Sequence, residues 1–182
     1  VMQRSGFWSK IFSDESRDVL LSHLKEKNVE VVQDEIEALL GDKELTGVKL
    51  ASGNKLKAQL LGVGVGLKID KSILEGAGID CENGILVDEF LKTNQENVYT
   101  AGDAAEFFDV IAGRHVQQRN WMNAILQARC IAKTITGDKT KFELVSSFGA
   151  NLLGKHVVFI GDTSREYADE VIQVESQPGS AL

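Results

Sequence analysis

The feature that most constrains the fold is a short β-rich segment that ends in small residues and an aspartate. It reads NVYTAGDAA over residues 97–105. The triplet at 98–100 predicts a buried strand, and the chain then passes through Gly102 directly to Asp103. Because glycine has no side chain, a strand that ends this way can bring one carboxylate close to a ligand. The alternative interpretation is that Asp103 caps a helix beginning at Ala104.

The strongest predicted helix covers residues 120–136, NWMNAILQARCIAKTIT. Gly137 follows it, as is typical of a helix end. Its apolar residues recur at spacings of three and four and predict a buried face that consists of Trp121, Ala124, Ile125, Ala128, Ile131, Ala132 and Ile135. The alanines would let this helix pack closely against a sheet or a cofactor.

Weaker patterns predict the other elements. We expect helices over 14–27 and 72–78, strands over 29–32, 84–90, 142–145 and 156–160, a hairpin within 45–61 around Gly53 and Asn54, and turns at Gly149, Gly154 and Gly161.

A glycine-rich stretch, GVGVG at 62–66, follows the hairpin and resembles a phosphate-binding loop. A dinucleotide fingerprint needs a third glycine where this chain has Leu67, and the next residues do not begin an amphipathic helix. The spacing therefore favours the end of a strand whose backbone approaches another segment closely.

Composition excludes several classes of function. Twenty Lys and Arg against 27 Asp and Glu give a net charge of −7, which argues against a nucleic-acid or anionic-membrane surface. Cys81 and Cys130 are too far apart for a Cys-x-x-Cys site, so we expect a reducing compartment, the cytoplasm. The sequence predicts no signal peptide, no membrane anchor and no metal site.

The order of these segments resembles the pyridine nucleotide-disulfide oxidoreductase superfamily, in its ferredoxin reductase, rubredoxin reductase and NADH oxidase branch. The Ala-Gly-Asp segment is similar to the second FAD-contacting motif of that family. The resemblance runs from about 14 to 160 and depends on GVGVG, EGAGID (75–80), GILVDEFLKT (84–93), the Ala-Gly-Asp segment, and a helix with Trp121, Asn123, Ala124 and Gln127. It departs from the family at 67–70, where a Pro-Asn pair is usual, and at Ala128, where a glycine is usual.

The resemblance implies an α/β fold. It would consist of partial FAD/NAD(P)-binding Rossmann-like domains with three layers, followed by the start of an α+β interface domain. The implied bounds are 1–67 for the back half of the NAD(P)-binding domain, 68–137 for the returning part of the FAD domain, and 138–182 for the interface domain. Neither glycine-rich fingerprint of the family occurs here, and the chain starts at Val1 without Met. We therefore expect the C-terminal half of a longer enzyme.

The resemblance also implies FAD and NAD(P)H as cofactors. Asp103 would accept hydrogen bonds from the ribityl hydroxyls, with Gly102 allowing close approach. The backbone N–H groups of Asn123 and Ala124 would face the pyrimidine edge of the flavin, where negative charge develops on reduction. Trp121 would cover the isoalloxazine edge, or it is simply a core anchor. No catalytic residue is predicted, because the cofactors carry the chemistry.

The predicted function is electron transfer from reduced nicotinamide through FAD to an unidentified acceptor, such as a small redox protein. A homodimer is compatible with the resemblance. The alternative is a non-enzymatic interaction or dimerisation module that kept the fold without the ADP sites. We expect weak or no FAD binding by this chain alone, because the pyrophosphate site is missing. Arg4 could contact a 2′-phosphate and favour NADPH, although a surface arginine is the simpler interpretation.

Overall fold

The computed structural model describes residues 1–3, 8, 12–163, 167–172 and 174. Arg4 and the terminal QPGSAL segment lie outside the described residues. The chain forms two compact units, one from residues 1–63, 152–154 and 163–182 and the other from 64–151 and 155–162.

In the first unit, strand β1 (Met2–Gln3) is followed by helix α1 (Asp14–Glu26) and by strand β2 (Val32–Gln33), which pairs with β1 in parallel. The Ser13 side chain accepts a hydrogen bond from the Ser16 N–H at 3.3 Å and so caps α1. Leu20 and Leu24 are the buried residues of α1. The helix predicted over 14–27 is confirmed to within one residue.

A three-stranded antiparallel sheet completes this unit. It contains β3 (Ile36–Leu40), β4 (Gly47–Leu50) and β5 (Lys55–Lys57), with β4 in the centre. Val48 and Leu50 are buried on β4, and the predicted hairpin around Gly53 and Asn54 is confirmed. The prediction that the GVGVG stretch is the end of a strand with a close backbone approach is wrong. No element includes the stretch, Val65 is 90% exposed, and a Cβ built on any of its three glycines would meet nothing within 4 Å. A strand needs a neighbour for its backbone groups, and none of the described strands pairs with this stretch.

The second unit contains helix α2 (Ser72–Gly76) and a mixed three-stranded sheet of β6 (Ile85–Val87), β7 (Ala105–Asp109) and β8 (Arg114–Val116). The central strand β7 is parallel to β6 and antiparallel to β8. The core beside this sheet consists of Val87, Leu91, Ala105, Phe107, Val116, Cys130 and Phe142.

Helix α3 (Trp121–Ile135) confirms the strongest helix prediction. Its predicted buried face is wrong, however, because Trp121 is 82% exposed and Ile135 is 66% exposed. The fully or nearly buried positions are instead Asn123, Gln127 and Cys130, at i, i+4 and i+7. Two amides lie on this face: Asn123 forms hydrogen bonds through both its oxygen and its nitrogen, and Gln127 through its oxygen.

The segment at 98–100 does not form the predicted strand. Tyr99 makes only an isolated bridge with Lys92, while the Thr100 N–H donates to the Leu91 carbonyl at 3.2 Å and the Thr93 N–H donates to the Val98 carbonyl at 2.9 Å. A neighbouring loop therefore takes the backbone hydrogen bonds that a sheet would have taken.

The last two strands among the described residues, β9 (Ser147–Leu152) and β10 (Lys155–Ile160), form a hairpin. This confirms the strand predicted at 156–160 and the turn at Gly154, but the strand expected over 142–145 is wrong. Gly149 lies inside β9 instead of in a turn. None of the helices in the described ranges is long and apolar enough to cross a membrane.

Candidate functional site

The Ala-Gly-Asp segment forms one turn of 3-10 helix, Gly102–Ala104, immediately before β7. Gly102 has a φ of +76°, a conformation that costs residues with a side chain about 1–2 kcal/mol. Because a strand begins at Ala105, Asp103 does not cap a helix, and that alternative is wrong.

Two contacts join this turn to helix α3. The Gly102 N–H donates to the Gln127 Oε1 at 2.7 Å, and Gln127 is only 1% exposed. On the same helix, the Cβ of Ala124 would lie 3.3 Å from a Cβ built on Gly102. Of the residues predicted to form a site, Gly102 and Ala124 are therefore in direct proximity.

The Asp103 carboxylate lies at the surface of this turn. The residue is exposed, and within the described part of the chain no group donates a hydrogen bond to its carboxylate or forms an ion pair with it. Its two oxygens are consequently available to a donor outside the chain.

The first turn of α3 does not present the N–H groups that the sequence predicted. The Asn120 side chain caps the helix by accepting from the Asn123 N–H at 2.9 Å. The Ala124 N–H donates to the Asn120 carbonyl at 3.2 Å. In the ranges that the structure describes, the N–H groups of Trp121 and Met122 have no acceptor, as expected at the start of a helix.

Asn123 instead has a role inside the protein. Its side chain is 1% exposed, its Nδ2 donates to the Gln118 Oε1 at 3.1 Å, and its Oδ1 accepts from the Ser146 Oγ at 3.1 Å. The Asn120 Nδ2 donates to the same Ser146 Oγ at 3.1 Å. This buried network fixes the beginning of α3, since each amide has partners.

Trp121 does not anchor the core, so that alternative is wrong. Its indole is 82% exposed on the first turn of α3, and the next residue, Met122, is 56% exposed. A large apolar surface at the open end of a helix is available to cover a ligand.

Sequence reasoning missed two residues. Asn120 could have been recognised, because an Asn directly before an amphipathic helix is a typical N-cap. Gln127 belonged to the motif, but no local signal connects it with Gly102, which is 25 residues earlier.

A second concave region lies elsewhere in the same unit. It is open, has a volume of about 920 Å³, and is lined by residues 67–72 together with Glu75, Glu82, Asn83, Gln117 and Arg119. None of the five predicted site residues contributes to it, and its lining mixes cations with acids. We therefore keep the candidate site at the Gly102 turn and the beginning of α3.

The cysteines have no redox arrangement. Cys81 and Cys130 are both free, and Cys130 is buried. Burial raises the pKa of the Cys130 thiol, although the charge of Lys133 acts in the opposite direction, so the thiol stays protonated and inert. The described residues contain no group of three or more His, Cys, Asp or Glu that could hold a metal ion.

Comparison with known proteins gives a consistent family. The model of the pyridine nucleotide-disulphide oxidoreductase family matches residues 1–128. Rhodocoxin reductase of Rhodococcus erythropolis is 35% identical over 109 residues, which are 59% of this chain and 25% of that protein. Rubredoxin-NAD(+) reductase of Pseudomonas putida is 27% identical over 128 residues, which are 70% of this chain and 33% of that protein. The chain thus spans about a quarter to a third of these relatives.

Solved structures agree. The ferredoxin reductase for the CYP199A2 system from Rhodopseudomonas palustris is 26% identical with a TM-score of 0.73, over 82% of this chain and 37% of that one. The covalent putidaredoxin reductase–putidaredoxin complex has a TM-score of 0.79 at 22% identity, and the match covers 88% of this chain and 40% of that one. At this low identity the similarity supports the fold only. The predicted α/β class with partial Rossmann-like domains is confirmed.

Proposed function

Because this chain belongs to the pyridine nucleotide-disulphide oxidoreductase family, we propose that it forms the C-terminal part of an FAD-dependent NAD(P)H oxidoreductase and holds the flavin side of FAD. The observation that carries the proposal is the Gly102 turn, which is joined to α3 through Gln127 and presents the Asp103 carboxylate without a partner among the described residues.

The groups present suit the flavin half of FAD. A ribityl chain offers hydroxyl donors, and Asp103 offers an ionised acceptor whose hydrogen bonds are about twice as strong as neutral ones. The reduced isoalloxazine edge carries negative charge, and the N–H groups of Trp121 and Met122 at the start of α3 are donors with no acceptor among the described residues. The sequence has no glycine fingerprint for the pyrophosphate, so this chain would supply only part of the site.

Each residue then has a definite task. When bound, FAD supplies the hydride-accepting chemistry. Asp103 orients the cofactor through hydroxyl groups, while Gly102, whose Cβ position lies 3.3 Å from the Ala124 Cβ, lets the turn pack against α3. The N-terminus of α3 stabilises negative charge, at Trp121 and Met122 instead of the Asn123 and Ala124 N–H groups that the sequence indicated. The exposed indole of Trp121 excludes water.

The remaining assignments follow from the family. We assign 1–67 to the NAD(P)-binding domain, 68–137 to the FAD domain and 138–182 to the interface domain. The division between Val63 and Gly64 supports the first of these boundaries. The relatives are named for rhodocoxin, rubredoxin and putidaredoxin, which supports a small redox protein as the acceptor. A homodimer and a cytoplasmic location complete the proposal.

The deciding experiment uses the longest form of the protein that its gene encodes. We expect a yellow protein with flavin absorbance that is bleached anaerobically by NADH or NADPH, and separate titrations identify the preferred nicotinamide. The 182-residue chain alone should bind FAD weakly or not at all. A folded, colourless long form that no nicotinamide affects would contradict the proposal and favour the non-enzymatic module.

A further inference from the structure

Gln127 is a buried amide that uses only one of its two polar atoms. Its Oε1 accepts from the Gly102 N–H at 2.7 Å, whereas its Nε2 is buried without a hydrogen-bond partner in the described part of the chain. Leaving a buried donor unpaired is costly. Some other interaction of this side chain must therefore offset the cost. The hydrogen bond from the Gly102 N–H to the Gln127 Oε1 is the interaction that the structure shows.

We propose that Gln127 is a positioning residue, which sets the direction of the Asp103 carboxylate for FAD by holding the Gly102 N–H; this inference rests on the proposed function. Asp103 is exposed and has no partner of its own within the described residues. The orientation of its side chain consequently depends on the backbone of the turn. That backbone is held at Gly102, the residue immediately before Asp103.

The two contacts at Gly102 act in opposite directions. The hydrogen bond to Gln127 draws the turn towards α3, and the Cβ of Ala124, 3.3 Å from the place where a Gly102 Cβ would be, limits the approach. Both residues lie on α3, one turn apart. The turn is thus fixed relative to the same helix whose N-terminus would face the flavin, so one rigid element sets both halves of the flavin site.

The oxygen of Gln127, and not its nitrogen, carries this role. Asn123 lies on the same buried face of α3 and uses both its oxygen and its nitrogen, whereas Gln127 uses only its oxygen. A Gln127→Glu variant keeps an acceptor at this place even when burial protonates the carboxyl group. A Gln127→Met variant keeps the approximate volume and removes the acceptor.

The test measures FAD affinity and the visible flavin spectrum in the longest form of the protein. Gln127→Met should raise the dissociation constant for FAD about tenfold, the equivalent of one lost hydrogen bond to a fixed group, and should shift the flavin absorption bands. Gln127→Glu should stay within about threefold of the original protein. Cys130→Ala is the matched control, because Cys130 is on the same buried face but contacts Thr140 instead of Gly102.

The control separates positioning from general stability. Cys130→Ala should lower the melting temperature at least as much as Gln127→Met while leaving the FAD dissociation constant and spectrum unchanged. An equal loss of affinity in Cys130→Ala, an unchanged affinity in Gln127→Met, or a Gln127→Glu variant as weak as Gln127→Met would each overturn the proposal.

A readout without cofactor separates this inference from the proposed function. In the FAD-free protein, the Gly102 amide proton should exchange slowly by NMR in the original protein and in Gln127→Glu, and faster in Gln127→Met. If the original protein binds no FAD, the proposed function is wrong. The positioning role is then wrong as well, even if the Gly102 amide proton exchanges slowly. If FAD binds but Gly102 exchanges equally in all variants, only the role of Gln127 is wrong.

Discussion

A Cβ built on Gly102 would lie 3.3 Å from the Cβ of Ala124. This is tighter than ordinary van der Waals contact, and the backbone of Gly102 is already in the left-handed region with a φ of +76°. An extra methyl group at Gly102 would therefore force the turn and helix α3 apart.

Gly102→Ala should lower the free energy of unfolding and weaken FAD binding, because the turn must move away from Ala124. We expect the loss of stability to exceed that of Gly113→Ala by about 1–2 kcal/mol, the usual cost of overpacking. Gly113 is the matched control, since its φ is +64° but a Cβ there would meet nothing within 4 Å. Urea unfolding of both variants measures the difference, and equal losses would show that backbone strain alone decides.

Asp103→Asn should separate binding from stability. The side chain is exposed and no partner for it lies in the described ranges, so the free energy of unfolding should change by less than about 0.5 kcal/mol. FAD affinity should fall about tenfold, because an amide replaces the charged acceptor. Asp18→Asn, at an exposed position on α1, should change neither quantity. Unchanged FAD binding by Asp103→Asn would remove this carboxylate from the site.

Trp121 should report the bound flavin. The sequence contains two tryptophans, and Trp121 is the one on the first turn of α3, 82% exposed. In the longest form of the protein we expect FAD to quench its fluorescence, and Trp121→Phe to remove this part of the quenching without a loss of stability. Trp8→Phe is the control, because Trp8 pairs with the ring of Phe12 instead. Quenching that disappears with Trp8 and persists without Trp121 would contradict the assignment.

Local patterns predicted the elements whose hydrogen bonds are local. Helices α1 and α3 and the hairpin of β4 and β5 could be predicted because capping, periodicity and turn residues act within a few positions. The strand expected at 98–100 failed because its backbone groups bond to the loop at 91–93. No short-range pattern reveals that competition.

The candidate site was predictable only where it is contiguous. Gly102 and Asp103 are neighbours, and their sequence signal is a β-rich triplet followed directly by small residues and an aspartate. The role of Gln127 depends on a bond across 25 residues. The buried face of α3 was also wrong, because hydrophobic spacing cannot show that Asn123 finds partners in Gln118 and Ser146 and so tolerates burial.

Cys130 should make stability decrease at alkaline pH. Burial raises the pKa of its thiol, with a smaller opposing effect from Lys133, whereas an unfolded cysteine ionises at about pH 8.5. Below that pH the thiol is protonated in both states and its contribution is fully present. Above it the unfolded chain releases a proton that the native state keeps, so the free energy of unfolding falls until the native pKa is passed.

Urea unfolding at pH 7 and pH 9.5 checks this expectation. Cys130→Ala should be less stable than the original protein at pH 7, because it leaves a small cavity in the core around Phe107 and Phe142. It should nevertheless lose less stability between the two pH values. Cys81→Ala, at a partly exposed free cysteine, should keep the larger decline. If Cys130→Ala declines as steeply as the original protein, the alkaline loss comes from other groups and the Cys130 thiol is not its source.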